Sequence, residues 1–167
     1  VLGGGFLSGL WLALIGWFLT GAAKASYAQL VRHELLSGTP VRRMMRQRVE
    51  SIAASATVAD LVEGPIMQTD QRSFPVYDGD RWIGLVTVED VRQLSKSEWD
   101  STQVADVMTP REQLATVDLE ADADQTLQRM MQEGQDQIPV VDHGEVRGFV
   151  RQQDIVKWLT LQRPQHA

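Results

Sequence analysis

The sequence predicts an α/β protein in which two similar repeats, each ordered β-α-β-β-α, pack as a pair after an apolar helix that crosses or adjoins a membrane. Three observations support this prediction. The stretch FPVYDGDRWIGLVTVEDV at residues 74–91 is followed 64 positions later, without a gap, by the related stretch IPVVDHGEVRGFVRQQDI. Short runs rich in Val and Ile alternate with helix-like segments and turn signals. The first 23 residues carry no charged side chain.

Composition narrows the function classes. The chain has 167 residues, 43% of them hydrophobic, and begins with Val1 rather than Met, which favours a piece of a longer protein. It contains no cysteine, which excludes disulfides, thiolate metal sites and cysteine nucleophiles. From residue 51 onward, ten Lys/Arg stand against twenty Asp/Glu. Such an acidic body argues against a nucleic-acid partner, because nucleic acids bind to basic surfaces.

The apolar start, residues 1–23, predicts a transmembrane helix. At roughly 1.5 Å per residue it reaches about 34 Å, enough for a hydrocarbon core of about 30 Å. The alternatives are a signal peptide, which needs a basic start, and a buried soluble helix, which normally has a polar face. Residues 24–50 hold six Lys/Arg against two Glu. Basic residues directly after a span predict that the rest of the chain is cytoplasmic.

An amphipathic stalk is predicted to continue this helix over residues 22–36, because Tyr27, Leu30, Val31 and Leu35 recur at helical spacing. Gly38 followed by Pro40 predicts the end of the helix. The stalk is either a rigid spacer or a lever that transmits force to the membrane part. The predicted domains are therefore residues 1–40 (span and stalk), 41–100 (first repeat) and 101–167 (second repeat).

Each repeat is assigned the same elements. The first has a helix at 58–67, strands at 73–77 and 82–87 around an Asp-Gly turn, and a helix at 89–94. The second has a helix at 123–133, strands at 137–141 and 146–150 around a His-Gly turn, and a helix at 153–161. A unit of about 60 residues buries little core by itself, so the two repeats are expected to pack against each other.

Over residues 41–161 the repeated pattern PV-x-D, Gly and Asp resembles the paired cystathionine-beta-synthase (CBS) domains, or Bateman module. VADVMT at residues 104–109 is similar to the opening motif of that family, and VRRMM at 41–45 is a weaker version. The resemblance implies an adenine nucleotide (ATP, ADP or AMP) in the cleft between the repeats. It also implies a homodimer, since CBS pairs associate face to face.

A second resemblance concerns residues 9–27, which are similar to the segment that closes the membrane domain of site-2-type intramembrane zinc proteases, several of which continue into a CBS pair. It implies that zinc and the catalytic residues lie upstream of Val1. The chain itself offers none, because HELLS at 33–37 lacks the second His of HExxH. His143, in a hairpin turn, and His166, in the tail, are expected to be solvated.

Candidate ligand-binding residues begin with Thr87 and Asp90. Their spacing predicts a capping box at a helix start, and a helix N-terminus also favours a bound phosphate. In CBS pairs the T-x-x-D motif binds adenine nucleotides and the Pro-Val strand lines the base. That resemblance implies Phe74, Pro75, Thr87 and Asp90 as ligand residues.

The second copy departs from this motif, because Arg151 stands in the threonine position. Arg151 either pairs with a phosphate or fills the pocket. Asp154 remains a first-turn carboxylate, which the helix dipole favours. The sequence favours one competent site, at Thr87 and Asp90, with Arg151 and Asp154 as candidates for a second; the alternative is a structural pair that binds nothing.

Taken together, these patterns predict a cytoplasmic module that senses adenine nucleotide and regulates a membrane-embedded zinc protease. Two alternatives stay open. One is a regulatory module on a transporter or channel, and the other is a dimerisation module without a ligand.

Overall fold

The computed structural model describes residues 35–162. The predicted span at residues 1–23 and nearly all of the stalk lie outside this range. Within it, the structure shows no helix that is both long and apolar enough to cross a membrane. The stalk helix ends at Leu36, and Gly38 follows with a left-handed φ of 77°, as the stop signal predicted.

Short strands and helices alternate along the described chain. The strands are β1 (Ile52–Ala53), β2 (Ser73–Asp78), β3 (Arg81–Thr87), β4 (Thr109–Pro110), β5 (Val117–Asp118), β6 (Gln137–Asp142) and β7 (Glu145–Arg151). The α-helices are α1 (Val58–Leu61), α2 (Val88–Arg92), α3 (Val104–Val107), α4 (Ala123–Glu133) and α5 (Gln152–Gln162). Short 3₁₀ turns lie at Val41–Arg43, Lys96–Glu98 and Arg111–Gln113.

These strands form two sheets, ordered β1-β2-β3-β4 and β5-β6-β7. In each sheet the first strand is parallel to the second, and the second and third form an antiparallel hairpin. The hairpins turn where predicted. Gly79 has a φ of 60°, and His143 and Gly144 have φ values of 52° and 81°, as tight hairpin turns require. The α/β fold with two equivalent repeats is confirmed.

The predicted helix at 58–67 is interrupted. After α1 the chain continues as a π-helical turn, Val62–Ile66, with Gly64 at φ −95° and ψ −106°. Pro65 has no backbone N–H to donate, so the regular helical hydrogen-bond pattern is interrupted at this position. The apolar spacing predicted the helical segment but not this break.

The lead-in segments of the two repeats, residues 36–46 and 104–109, are exchanged in the packing. Val41 and Met44 lie in the core of the second repeat, together with Leu36. Val104 lies in the core of the first repeat, with Val107 and Met108 packed against it. Each core is therefore completed by a segment from the other half of the chain.

A glycine in the second strand of each hairpin allows this exchange. A Cβ at Gly84 would lie 2.5 Å from the carbonyl oxygen of Thr109, and a Cβ at Gly148 would overlap that of Arg46. The backbones meet there, because Arg46 and Phe149 exchange hydrogen bonds of 2.8 and 3.1 Å. Gly84 and Gly148 are required for close approach of the lead-in segments.

A polar contact joins the two hairpins. The Tyr77 hydroxyl donates to Oε2 of Glu145 at 3.3 Å. Burial, followed by the negative charge and the hydrogen bond of Glu145, raises the pKa of Tyr77 above its ordinary value of 10.0. Because folding raises this pKa, the contribution of Tyr77 to stability is complete below about pH 10 and is lost as pH rises through the folded value.

We therefore expect Tyr77→Phe to weaken the decline of stability above pH 10 while costing about 1 kcal/mol or less at neutral pH. Urea unfolding at pH 7 and at several pH values above 10 measures both effects. The matched control is Tyr27→Phe, outside the described residues. An alkaline decline of the same steepness in Tyr77→Phe and the parent chain would contradict the assignment.

Candidate functional site

A cleft of about 800 Å³ opens between the two repeats. Its walls come from the end of the first lead-in segment, the loop before β2, the start of β6 and the junction of β7 with α5. The lining residues are 46, 48–50, 69–72, 136–137, 149, 151–153 and 156. Ligand sites for small molecules are typically about 300–1,000 Å³. The cleft is therefore large enough for a nucleotide.

The starts of β2 and β6 meet beside the cleft, which Gln137 lines. Gln137 Nε2 donates to Ser73 Oγ across this boundary. The two residues are equivalent in the repeat, because they differ by the same 64 positions as the rest of the pattern. The cleft thus lies next to the axis that relates the two copies.

Arginines and carboxylates both line the cleft. The arginines are Arg46, Arg48, Arg72 and Arg151, and the carboxylates are Glu50, Asp70 and Asp136. Arg46 Nη1 lies 3.0 Å from each carboxylate oxygen of Asp70. Arg72 pairs with Glu89 of α2, which is outside the lining. Among residues 35–162, the Arg48 guanidinium forms no ion pair.

The first T-x-x-D forms the predicted capping box. Asp90 Oδ2 accepts from the Thr87 backbone N–H at 2.8 Å and from its hydroxyl at 2.7 Å, and the Asp90 N–H donates to Thr87 Oγ1 at 3.2 Å. Within the described chain Asp90 Oδ1 accepts no hydrogen bond. This oxygen of the half-buried carboxylate keeps its capacity to accept a hydrogen bond.

The second copy is arranged differently. Arg151 Nε donates to Asp154 Oδ2 at 2.8 Å and Nη2 donates to Oδ1 at 2.9 Å, a bidentate pair in which each side chain is 16% exposed. The hydrogen bond to Asp154 raises the pKa of Arg151. Its remaining nitrogen, Nη1, lies 4.0 Å from Asp70 Oδ2 in the cleft. Arg151 therefore engages both carboxylate oxygens that a ribose would need.

Phe74 and Pro75 are buried in β2. The Phe74 side chain is 0% exposed and packs in the core of the first repeat with Val58, Leu61 and Val86. Neither residue lines the cleft at the second copy. The structure thus places the predicted site residues in three settings: Thr87 and Asp90 in a helix cap, Arg151 and Asp154 beside the cleft, and Phe74 and Pro75 in the sheet.

Sequence reasoning did not single out Arg46, Arg48, Asp70 or Phe149 of the cleft lining. The six basic residues at 24–50 were attributed to the membrane surface, although two of them line the cleft. The signal available in the sequence was the similarity between the opening segments of the two repeats, which is weak in the first repeat. Met45-Arg46 stands where the second repeat has Met108-Thr109, so that Arg46 occupies the lead-in position next to β7.

In the described part of the chain, no group of three or more His, Asp and Glu side chains is arranged to hold an ion. His143 is an exposed turn residue whose Nδ1 lies 2.8 Å from Asp142 Oδ1.

Comparison with known families decides what the repeats are. The model described as "CBS domain" matches residues 41–97 and again residues 104–161. The chain belongs to the CBS domain family. Its fold is that of a tandem CBS pair, with one CBS repeat for each matched region.

Among curated proteins, the CBS pair is similar to the "Putative zinc metalloprotease Rip3" of Mycobacterium tuberculosis. The two are 27% identical over 162 residues, which are 96% of this chain and 41% of the relative. This chain thus spans about two fifths of the length of that relative.

Among solved structures, the fold is similar to the CBS domain of a bacterial CNNM/CorC family Mg²⁺ transporter in complex with ATP. The TM-score is 0.67 and the sequence identity is 22%, and the match covers 81% of this chain and 97% of the other. It is also similar to the CBS pair of protein MJ0100 in complex with 5-methylthioadenosine and S-adenosyl-L-methionine, with a TM-score of 0.63, 16% identity, and coverage of 75% and 98%. At these identities the likeness shows the fold.

Proposed function

We propose that this CBS pair binds an adenine nucleotide in the cleft between its repeats and thereby regulates a membrane-embedded, site-2-type zinc metalloprotease. The observation that carries the proposal is the 800 Å³ cleft lined by four arginines. Arginine recognises phosphate through paired N–H donors, and the bidentate pair with Asp154 fixes the Arg151 guanidinium beside the cleft. Two similar folds are named as complexes with adenosyl ligands, which supports the same class here.

The proposed zinc protease context rests on the metalloprotease name of the relative and on the apolar residues 1–23. In this proposal the zinc and its ligands belong to the part of the protein upstream of Val1, the apolar start spans the membrane and the CBS pair is cytoplasmic. The family tendency to associate face to face supports a homodimer as the working assembly.

The route from ligand to membrane would be the first lead-in segment. It starts at Leu36, which is 0% exposed at the end of the stalk, and it reaches the cleft at Arg46. Leu36, Val41 and Met44 are all packed in the core of the second repeat. A ligand that moves Arg46 would therefore pull on a packed segment, since close-packed interiors transmit displacement.

A transporter or channel module is the second candidate, because one similar fold is the CBS domain of a Mg²⁺ transporter. The sequence upstream of Val1 distinguishes the two. An HExxH motif on an apolar helix would support the protease, and its absence from the whole upstream chain would exclude it.

Nucleotide binding is tested by thermal unfolding of the 167-residue chain in detergent with ATP, ADP or AMP. A ligand that binds only the folded state adds about 2.7 kcal/mol at a hundredfold excess over Kd. We expect such a shift, and we expect Asp154→Ala to reduce it more than Asp90→Ala, because Asp154 fixes Arg151 at the described cleft, which lies at the second copy. The sequence alone predicts the opposite order.

Ligand-induced shifts, not absolute melting temperatures, must be compared in this test, because Asp90→Ala also removes a helix cap worth about 0.5–2 kcal/mol. A larger loss in Asp90→Ala would move the site to Thr87 and Asp90 and leave the function in place. No shift with any of the three nucleotides would favour the dimerisation module.

A further inference from the structure

We propose that Arg46 and Arg151 form a phosphate subsite and that the Asp70 carboxylate is an intramolecular competitor occupying it. This inference rests on the proposed nucleotide function and extends it to the class of ligand. The cleft would select adenosyl ligands that carry a phosphate chain over neutral or cationic ones.

The two arginines are placed on one face of the second sheet. Arg46 forms a bridge with Phe149 of β7, and Arg151 lies two residues further along the same strand. Side chains at diagonal positions of this kind project to the same side of a sheet. The sheet therefore directs both guanidinium groups into the cleft, whose lining contains both.

Asp70 lies between these two groups. Its carboxylate oxygens are 3.0 Å from Arg46 Nη1, and Oδ2 is 4.0 Å from Arg151 Nη1. A carboxylate that accepts from one guanidinium and lies 4.0 Å from a second occupies the position that suits a phosphate of a ligand. Because Arg151 is also fixed by its bidentate pair with Asp154, this half of the subsite is held in place.

The Asp70 contact is open to replacement. The side chains of Arg46 and Asp70 are 47% and 71% exposed, and ion pairs of such exposure contribute little to stability. A phosphate offers more acceptor oxygens and more negative charge than a carboxylate, so it competes well for paired guanidinium donors. Arg48, without an ion pair in the described chain, lies in the same wall and is available to a second phosphate.

The test is isothermal titration of the 167-residue chain in detergent with ATP, AMP, adenosine, S-adenosyl-L-methionine and inorganic tripolyphosphate. We expect affinity to rise from adenosine to AMP to ATP and to fall with added salt, as charge-based binding does. Asp70→Asn should tighten ATP binding about threefold to tenfold and leave adenosine unchanged, because a like charge leaves the subsite. Arg46→Gln should weaken ATP binding about tenfold.

Matched controls make the same charge changes elsewhere. Asp100→Asn changes an exposed loop carboxylate outside the cleft, and Arg43→Gln changes an exposed arginine of the same lead-in segment. Neither should alter ATP affinity more than twofold. The melting temperature of Asp70→Asn should stay close to that of the parent chain, since the lost pair is exposed.

The outcomes separate the two proposals. Equal affinities for ATP, adenosine and S-adenosyl-L-methionine, unchanged in Asp70→Asn, would overturn the phosphate subsite and leave nucleotide binding intact. Binding of tripolyphosphate that tightens in Asp70→Asn, without binding of any adenosyl ligand, would support the subsite and overturn the nucleotide function. Absence of binding by every probe would overturn both.

Discussion

Phe74→Ala is expected to lower the free energy of unfolding by about 3–5 kcal/mol, the usual cost of removing a buried phenyl ring. The Phe74 side chain is 0% exposed and packs in the core that includes Val58, Leu61, Val76 and Val86. Truncation removes its buried apolar surface and leaves a cavity that a rigid core closes only in part. Urea unfolding followed by circular dichroism measures the change.

Phe74→Leu is the matched control, because it keeps most of the apolar volume and should cost about 1–1.5 kcal/mol. The CBS resemblance also implied Phe74 as a ligand residue, and the pair of variants tests that role. Near-parental stability in Phe74→Ala together with a lost nucleotide shift would show that the ring serves the ligand and not the core.

Gly148→Ala is expected to cost about 3 kcal/mol, at the upper end of the range for over-packing. The added Cβ overlaps the Arg46 carbonyl oxygen, which is backbone and has no rotamer to relieve the clash. Relief requires the first lead-in segment to move away from β7, which weakens the two hydrogen bonds between Arg46 and Phe149. Since Arg46 lines the cleft, nucleotide affinity should fall with stability.

Arg147→Ala, at the exposed neighbouring position of β7, is the control and should cost less than about 1 kcal/mol. Gly84→Ala, where the Cβ meets the Thr109 carbonyl oxygen at 2.5 Å, should resemble Gly148→Ala in stability. A Gly148→Ala chain as stable as Arg147→Ala would mean that the lead-in segment does not press on the sheet.

Local signals predicted the repeating unit well. The helix at 123–133 was predicted with the bounds of α4, and the structure shows that Asp122 caps its start and that Gly134, in the left-handed region, ends it. The hairpins followed from Asp-Gly and His-Gly turns, and the Thr87–Asp90 capping box from a spacing of three. Each of these features depends on residues within a few positions of one another, which is why a single sequence suffices.

The candidate site was predicted in part for the same reason. The sequence identified Arg151 and Asp154 as a departure from the first copy, but it left two roles for the arginine. Their bidentate pair, the neighbouring Asp70 and the opposing Arg46 are arranged by segments up to 108 positions apart. Charge composition alone could not assign Arg46 to the cleft, because a basic residue after an apolar span serves a membrane surface equally well.

The sequence by itself thus determined that the chain contains two β-α-β-β-α units. It also determined a helix cap at the first T-x-x-D motif and the replacement of the threonine by arginine in the second. Only the tertiary structure decided that residues 36–46 complete the second core and residues 104–109 the first. The physical reason is that the spacing of apolar residues in a strand or helix indicates only which side of that segment is apolar. Which apolar partner that side meets depends on long-range packing, and here on whether Gly84 and Gly148 leave room for another backbone.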